Sequence, residues 1–254
     1  MTAVLSTAAY QVLWEQLGLP DMPTVLTVPP RGFTERDRRA VVREAQRELA
    51  GADARTAELV ALLHRPSRAV DVRMYVDGPI RALAAARGEA GVLAVLHEGQ
   101  LGLDPLPGGA VARAAVDLLP VVPAGPGRSV SLPSTILRAA GCGGGTVDGK
   151  GFEVALRAQG VPAEDARELR LMLDGVVRRG TFGVTVADEL GREHRADHVV
   201  AWSDTERGRY LMEDSRAMDG RGWTTVAPAD NRRLVGQVQR LLTTTSATWA
   251  QPQG

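Results

Sequence analysis

The residues whose types and spacing come nearest to chemistry lie in the stretch GGGTVDGKG, Gly143 to Gly151. Gly144, four intervening residues, Gly149 and Lys150 reproduce the core of a phosphate-binding loop, in which backbone N–H groups cradle phosphate and the lysine meets its charge. Two requirements fail. Gly151 stands where a Mg²⁺-binding hydroxyl is needed, and the preceding STILRAAGCG reads as a helix where a buried strand should lead in. A glycine-rich, solvent-exposed excursion is the expectation, because glycine maximises backbone freedom.

Cys142, the lone cysteine, sits in the same loop, and no neighbouring sequence pairs it with a base. In EHRADH, His194 and His198 share a face if the segment is one strand, while Glu193 and Asp197 point away, so a zinc site is short of ligands. Ser203-Asp204 lacks the glycines of a nucleophile elbow. Arg178 and Arg179 precede a strand and read first as a solvated corner, although paired arginines can also anchor carboxylates on a partner. The inventory predicts no catalytic residue, no metal ligand set and no cofactor. The alternative it leaves is a metal- or nucleotide-dependent enzyme working through His194/His198 or the Gly144 to Lys150 loop, with a structural scaffold as a third option.

The 254 residues hold 30 basic and 30 acidic side chains, so net charge recruits neither nucleic acid nor an anionic membrane. A single cysteine excludes an internal disulfide framework and suits a reducing compartment. The opening MTAVLSTAAYQVLWEQLG has no basic leader before an apolar run, and no long apolar span follows elsewhere. These features predict a cytoplasmic protein that inserts in no membrane.

The elements that must position any site alternate in type. Ser6 caps a first helix to about Leu17; Val25 to Val28, between prolines, suits a strand; Thr34 and Asp37 resemble a capping box for a second helix; Asp53 starts a third, which Pro66 stops. RAVDVRMYV then places Val70, Val72, Met74 and Val76 on one face and Asp71, Arg73 and Tyr75 on the other. Turn signals at DGP, RGEAG and EGQ predict an antiparallel meander, and a helix through Val111, Ala115, Leu118 and Leu119 closes it. Residues 120–133 read as a linker. Helices at about 133–140, 152–159 and 162–176 follow, the last with Val176 on its apolar face. Strands are expected at Thr181 to Ala187, Ala196 to Trp202, Gly208 to Glu213 and Trp223 to Val226, before a final helix.

Aligning Pro105 with Pro228 sets Val111 on Leu234, Ala115 on Val238 and Leu118-Leu119 on Leu241-Leu242. The reading is an α/β (α+β) fold of two similar halves in a pseudo-twofold arrangement, with a central antiparallel sheet flanked by helices. Residues 1–119 form the first half, 120–133 the linker and 134–254 the second half, in one structural unit.

GRYL from Gly208, GWTTVAPADNRRLVGQVQRLL from Gly222 and LLPVVPAGPGRSVSLP from Leu118 resemble the EspG family, cytosolic chaperones of type VII (ESX) secretion in mycobacteria and related actinobacteria. LWEQLGLPDMPTVL, GFTERDRRAVVREAQRELAGAD and LLHRPSRAV agree in order. The resemblance implies a protein that is not an enzyme and that binds PE/PPE-like or WXG100-like helical-hairpin proteins. It would shield an apolar tip and deliver the client for export, as a monomer or weak homodimer, without nucleic acid. The client would meet the sheet face and turns of the first half near Tyr75, Arg87 and Glu89, together with the second half's helices, whose exposed apolar residues would carry most of the affinity. Arg178 and Arg179 are the further partner-binding candidates.

Overall fold

The computed structural model describes residues 2–29, 34–141, 149–217 and 219–250. The chain opens on a short strand, β1 (Ala3–Ser6), and turns directly into helix α1 (Thr7–Gln16), whose first-turn donor at Ala9 is accepted by the Ser6 hydroxyl at 3.0 Å. Sequence reading saw the cap and missed the strand, because four residues beside a strong helix carry no period of their own. The run Val25 to Val28 is a correction: Thr24–Leu26 form a 3-10 turn, with Leu26 N–H donating to Pro23 C=O. Flanking prolines deny the run a paired neighbour, and its apolar residues go into the core instead of a ladder.

Helix α2 (Glu35–Leu49) starts on the expected capping box, with Thr34 and Asp37 satisfying each other's backbone N–H groups. Helix α3 (Ala54–Leu62) starts on Asp53. The meander follows as β2 (Arg68–Tyr75), β3 (Pro79–Arg87), β4 (Ala90–His97) and β5 (Gln100–Pro107), and α4 (Val111–Val116) closes it. The segment 120–133 runs extended and ends in a strand of its own, β6 (Val130–Pro133). Helices α5 (Ser134–Ala139), α6 (Gly149–Ala158) and α7 (Ala163–Leu173) come next. The expected helix to residue 176 stops short at Leu173: Gly175 takes a positive φ of 65°, and Val176, assigned to the buried face, is exposed. Then come β7 (Arg178–Ala187), β8 (Glu193–Arg195), β9 (Val200–Thr205), β10 (Gly208–Arg216), β11 (Gly222–Pro228) and the long helix α8 (Asn231–Ala250). The strand expected from Ala196 to Trp202 is shifted: it starts four residues later, as β9 at Val200, and runs on to Thr205, while the unexpected β8 ends at Arg195.

All these strands join one antiparallel sheet of order β1-β5-β4-β3-β2-β7-β9-β10-β11-β6, with β8 pairing on β7 beside it. The mixed α/β architecture with a large antiparallel sheet flanked by helices is the one the sequence implies. At the sheet's centre β2 pairs with β7 from Arg68↔Val186 to Tyr75↔Arg179. One face of the sheet buries Val70, Val72, Phe182, Val184 and Trp202 under α4 and α8, and the aligned residues Val111, Ala115, Leu234 and Val238 all enter that core. Each valine, leucine or phenylalanine among them contributes about 1.5–3 kcal/mol relative to exposure.

The opposite face is covered in two separate places. Helices α1 to α3 pack over the β3–β5 end through Tyr10, Trp14, Leu59, Leu83, Leu101 and Leu103. Helices α5 to α7 pack over β10, β11 and β6 through Leu137, Leu156, Leu169, Tyr210 and Val226. Between the two helical layers, β2 and β7 keep this face open. Among the described residues no helix is long and apolar enough to cross a membrane.

Candidate functional site

Alternation along β2 sends Ala69, Asp71, Arg73 and Tyr75 to the open face, and register carries that row across to Leu83 and Arg81 on β3 and to Thr185, Gly183, Thr181 and Arg179 on β7. Ala69, Asp71, Arg73, Leu83 and Thr185 floor a trough of about 1160 Å³. Its walls are the turn around Pro23, the α3–β2 corner at His64 and Arg65, and the β7–β8 hairpin at Leu190 and Glu193.

A charged pair lies across the floor. Arg195 on β8 donates to both oxygens of Asp71, at 2.6 and 3.2 Å, and the Asp71 side chain keeps only 12% of its accessible surface. The fork geometry matches the carboxylate, and its hydrogen bond raises the Arg195 pKa further. Gly183, opposite Asp71, makes room for the pair: a Cβ there would lie 2.6 Å from Asp71 Oδ1. On the wall, burial together with the cations of Arg65 and Arg87 pushes the His64 pKa down. The imidazole is therefore biased toward its neutral form.

The five residues expected at a partner surface divide into separate places. Tyr75 and Arg179 are direct cross-strand partners on the open face, both exposed, at one end of the β2–β7 pairing. Arg178 is beside them in sequence but turns to the other face, opposite Asp204, and its Nε is buried without a hydrogen-bond partner among the described residues. Arg87 and Glu89 sit at the β3–β4 turn, eight strand steps from Pro79, or about 26 Å at a strand's rise. There the Arg87 guanidinium donates to the carbonyls of His64 and Arg65 and ties down the corner before β2. Exposed Val177 and Tyr75 give the Arg179 end an apolar margin, and exposed Leu190 does the same for the hairpin wall.

Sequence reading missed Arg209, which is completely buried. Its guanidinium meets Asp204 at 2.6 and 2.9 Å, donates to Pro120 C=O at 3.0 Å and to the Asn231 side chain, and stands 5.0 Å over the Trp202 ring. Its backbone binds Pro123, Gly125 and Ala229. One residue thus fixes the segment after α4, the β9–β10 hairpin and the start of α8. No spacing in ERGRY signals this, since an arginine two residues after a turn is ordinarily solvated.

The histidines do not act together. His194 Nε2 bonds Asp188 Oδ2 at 3.0 Å and its ring stacks on Trp249 at 4.3 Å, while His198, beyond the end of β8, pairs with Asp197 at 2.7 Å. Expected even spacing along one strand fails because β8 is three residues long. These bonds hold the Asp188 and Asp197 carboxyls below the usual range. Among the described residues no three His, Cys, Asp or Glu groups gather as a metal site. Of the glycine-rich stretch, Cys142 and Gly143 to Asp148 lie outside the described residues. Gly149 and Lys150 belong to the first turn of α6, which begins earlier than the expected residue 152.

Residues 6–240 match the model of the EspG family. The chain is 30% identical to the ESX-3 secretion-associated protein EspG3 of Mycolicibacterium smegmatis, over 93% of this chain and 85% of that protein. Its fold resembles that of Mycobacterium tuberculosis EspG5, a type VII secretion system chaperone whose structure was solved in complex with a PE25-PPE41 dimer, with a TM-score of 0.70, 16% identity, and 99% and 97% of the two chains covered.

Proposed function

This chain belongs to the EspG family, and from that premise we propose that it is a cytosolic chaperone of type VII secretion. It binds PE/PPE-like helical heterodimers, covers an apolar tip of the client and holds the pair soluble until export. The observation that carries the reading is the open central face of the sheet between two helical layers, in a chain that matches the family over residues 6–240. Support also comes from the two named relatives, one described as secretion-associated and one as a chaperone with a PE25-PPE41 dimer.

The physical logic is removal of apolar client surface from water. A broad, rigid trough floored by paired strands offers a preformed surface, so little ordering cost is added when the client docks. We read the chain as non-catalytic because Asp71 is taken up by Arg195, and the Arg87 guanidinium by the backbone carbonyls of His64 and Arg65 at the corner. The cytosolic assignment follows from the same job, since a client needs cover before it is exported.

Co-expression with the PE/PPE-type heterodimers encoded in the same genome tests the reading. A soluble ternary complex that co-elutes in size exclusion is the expected result. If each heterodimer elutes apart from this chain, or precipitates in its presence, the reading is wrong.

A further inference from the structure

On the open face, Arg73 of β2 and Arg81 of β3 stand directly opposite each other, and Arg179 of β7 lies diagonal to Arg73, one row along. Directly paired residues on neighbouring strands approach within about 5 Å and diagonal ones within about 8 Å, so three guanidinium groups share one patch. Like charges set opposite each other weaken a sheet. Among the described residues no carboxylate pairs with them: Asp71, the acidic residue on this face of β2, is taken by Arg195, and Arg81 gives its Nη1 to the Thr27 carbonyl at 2.9 Å. Among the described residues Arg73 and Arg179 have no ion-pair partner, in a chain whose acids and bases balance at 30 each. Exposed Tyr75, opposite Arg179, and exposed Val177 put apolar surface beside the cations.

We propose that Arg73, Arg81 and Arg179, with Tyr75 beside them, form the seat for an acidic segment of the client polypeptide. The inference rests on the chaperone reading and adds to it the chemistry that selects the client. Two or more carboxylates next to an apolar side chain would satisfy the arginine forks bidentately, and Tyr75 and Val177 would cover the apolar group. Electrostatic complementarity of this kind speeds encounter and sets which client is accepted, while the apolar contact supplies most of the holding free energy. The unrelieved repulsion in the free chaperone gives the sign: adding carboxylates removes it.

The test uses the full chain with the co-expressed PE/PPE-type heterodimer, titrated calorimetrically at low and moderate NaCl. Arg73→Glu and Arg179→Glu should each weaken binding about tenfold or more, and the double variant should flatten the dependence of affinity on salt. Melting of the free variants should stay at or above that of the parent chain, showing that folding is kept. Replacing the client's contacting Asp or Glu by Lys should weaken the parent complex and restore the double variant. A parent complex that forms while the double variant binds equally well overturns this inference and leaves the chaperone reading intact. Failure of the parent chain to bind any of these heterodimers removes the chaperone reading and this inference with it. Binding of a single-stranded DNA oligonucleotide that disappears in the same variants would assign the patch to nucleic acid and also overturn it.

Discussion

Gly183 stands opposite Asp71 in the β2–β7 pairing, and the place its missing side chain would take is filled by the Asp71–Arg195 ion pair, with Asp71 Oδ1 only 2.6 Å from an ideal Cβ. The reason for glycine here is space, since its backbone is not among those with positive φ. Gly183→Ala should push the pair apart and leave the largely buried Asp71 without its guanidinium, costing about 1–3 kcal/mol. Urea unfolding should show the loss as a lower midpoint, and Asp71→Asn combined with Gly183→Ala should lose less than the sum of the two single changes. Full additivity would mean that the glycine and the ion pair are independent.

Arg209 is the most consequential single side chain outside the trough. Its charge is wholly buried and is stabilised by Asp204, the Pro120 carbonyl and Asn231, and Arg209→Ala abandons all three at once. A loss of about 3–5 kcal/mol is expected, because Asp204 then remains buried as an unpaired carboxylate. Arg209→Lys should recover little, since one ammonium cannot span donors that the planar fork reaches together. Limited proteolysis should cut the Arg209→Ala chain within residues 120–126, the segment this residue anchors. Melting of Arg209→Lys at the parent temperature would contradict this account.

The β7–β8 hairpin and the end of α8 should loosen in acid. The His194 ring, with the Arg192 and Leu190 N–H groups, bonds Asp188 and holds its carboxyl below the usual range; His198 does the same for Asp197. A carboxyl depressed in the native state resists protonation there more than in the unfolded chain. Its stabilisation is therefore complete above the ordinary Asp value of about 3.9 and fades as pH falls through the lower native value. Trp249 stacks on His194, so tryptophan fluorescence followed from pH 6 downward should report local release in that window before global unfolding. Asp188→Asn should remove the acid-linked step, and persistence of the step in that variant would place its origin elsewhere.

Much of the scaffold is legible in the sequence, for identifiable reasons. Thr34 with Asp37, Asp53 and Ser6 mark helix starts because a side-chain oxygen must satisfy first-turn donors, which is a local requirement. The meander is legible from Asp77-Gly78, Gly88 and Glu98-Gly99, the turn positions that adopt positive φ. Strands β1 and β6 are not, because each has four residues and exists only through pairing with a distant strand. The site divides along the same line. Alternation in RAVDVRMYV places Arg73 and Tyr75 on one face, but the juxtaposition of Arg73 with Arg81, and of Tyr75 with Arg179, depends on hairpin register and on the β2–β7 pairing. Arg209 was illegible because its environment comes from three separate segments.

The arginine patch implies an opposition between stability and client binding that single substitutions can expose. Arg73 and Arg81 repel across strands, so replacing Arg73 with Thr, which favours strands and carries no charge, should stabilise the free chain by a few tenths of a kcal/mol up to about 1 kcal/mol. The neighbouring Asp71–Arg195 pair is complete without Arg73 and gives the substitution nothing to disrupt. Unfolding midpoints at low and high salt distinguish this from a propensity effect. The gain should shrink as salt screens the arginines, whereas a gain from strand propensity alone would be independent of salt. A destabilised Arg73→Thr chain would mean that the residue contributes packing, through its aliphatic stem over the trough floor, that outweighs the relief of repulsion.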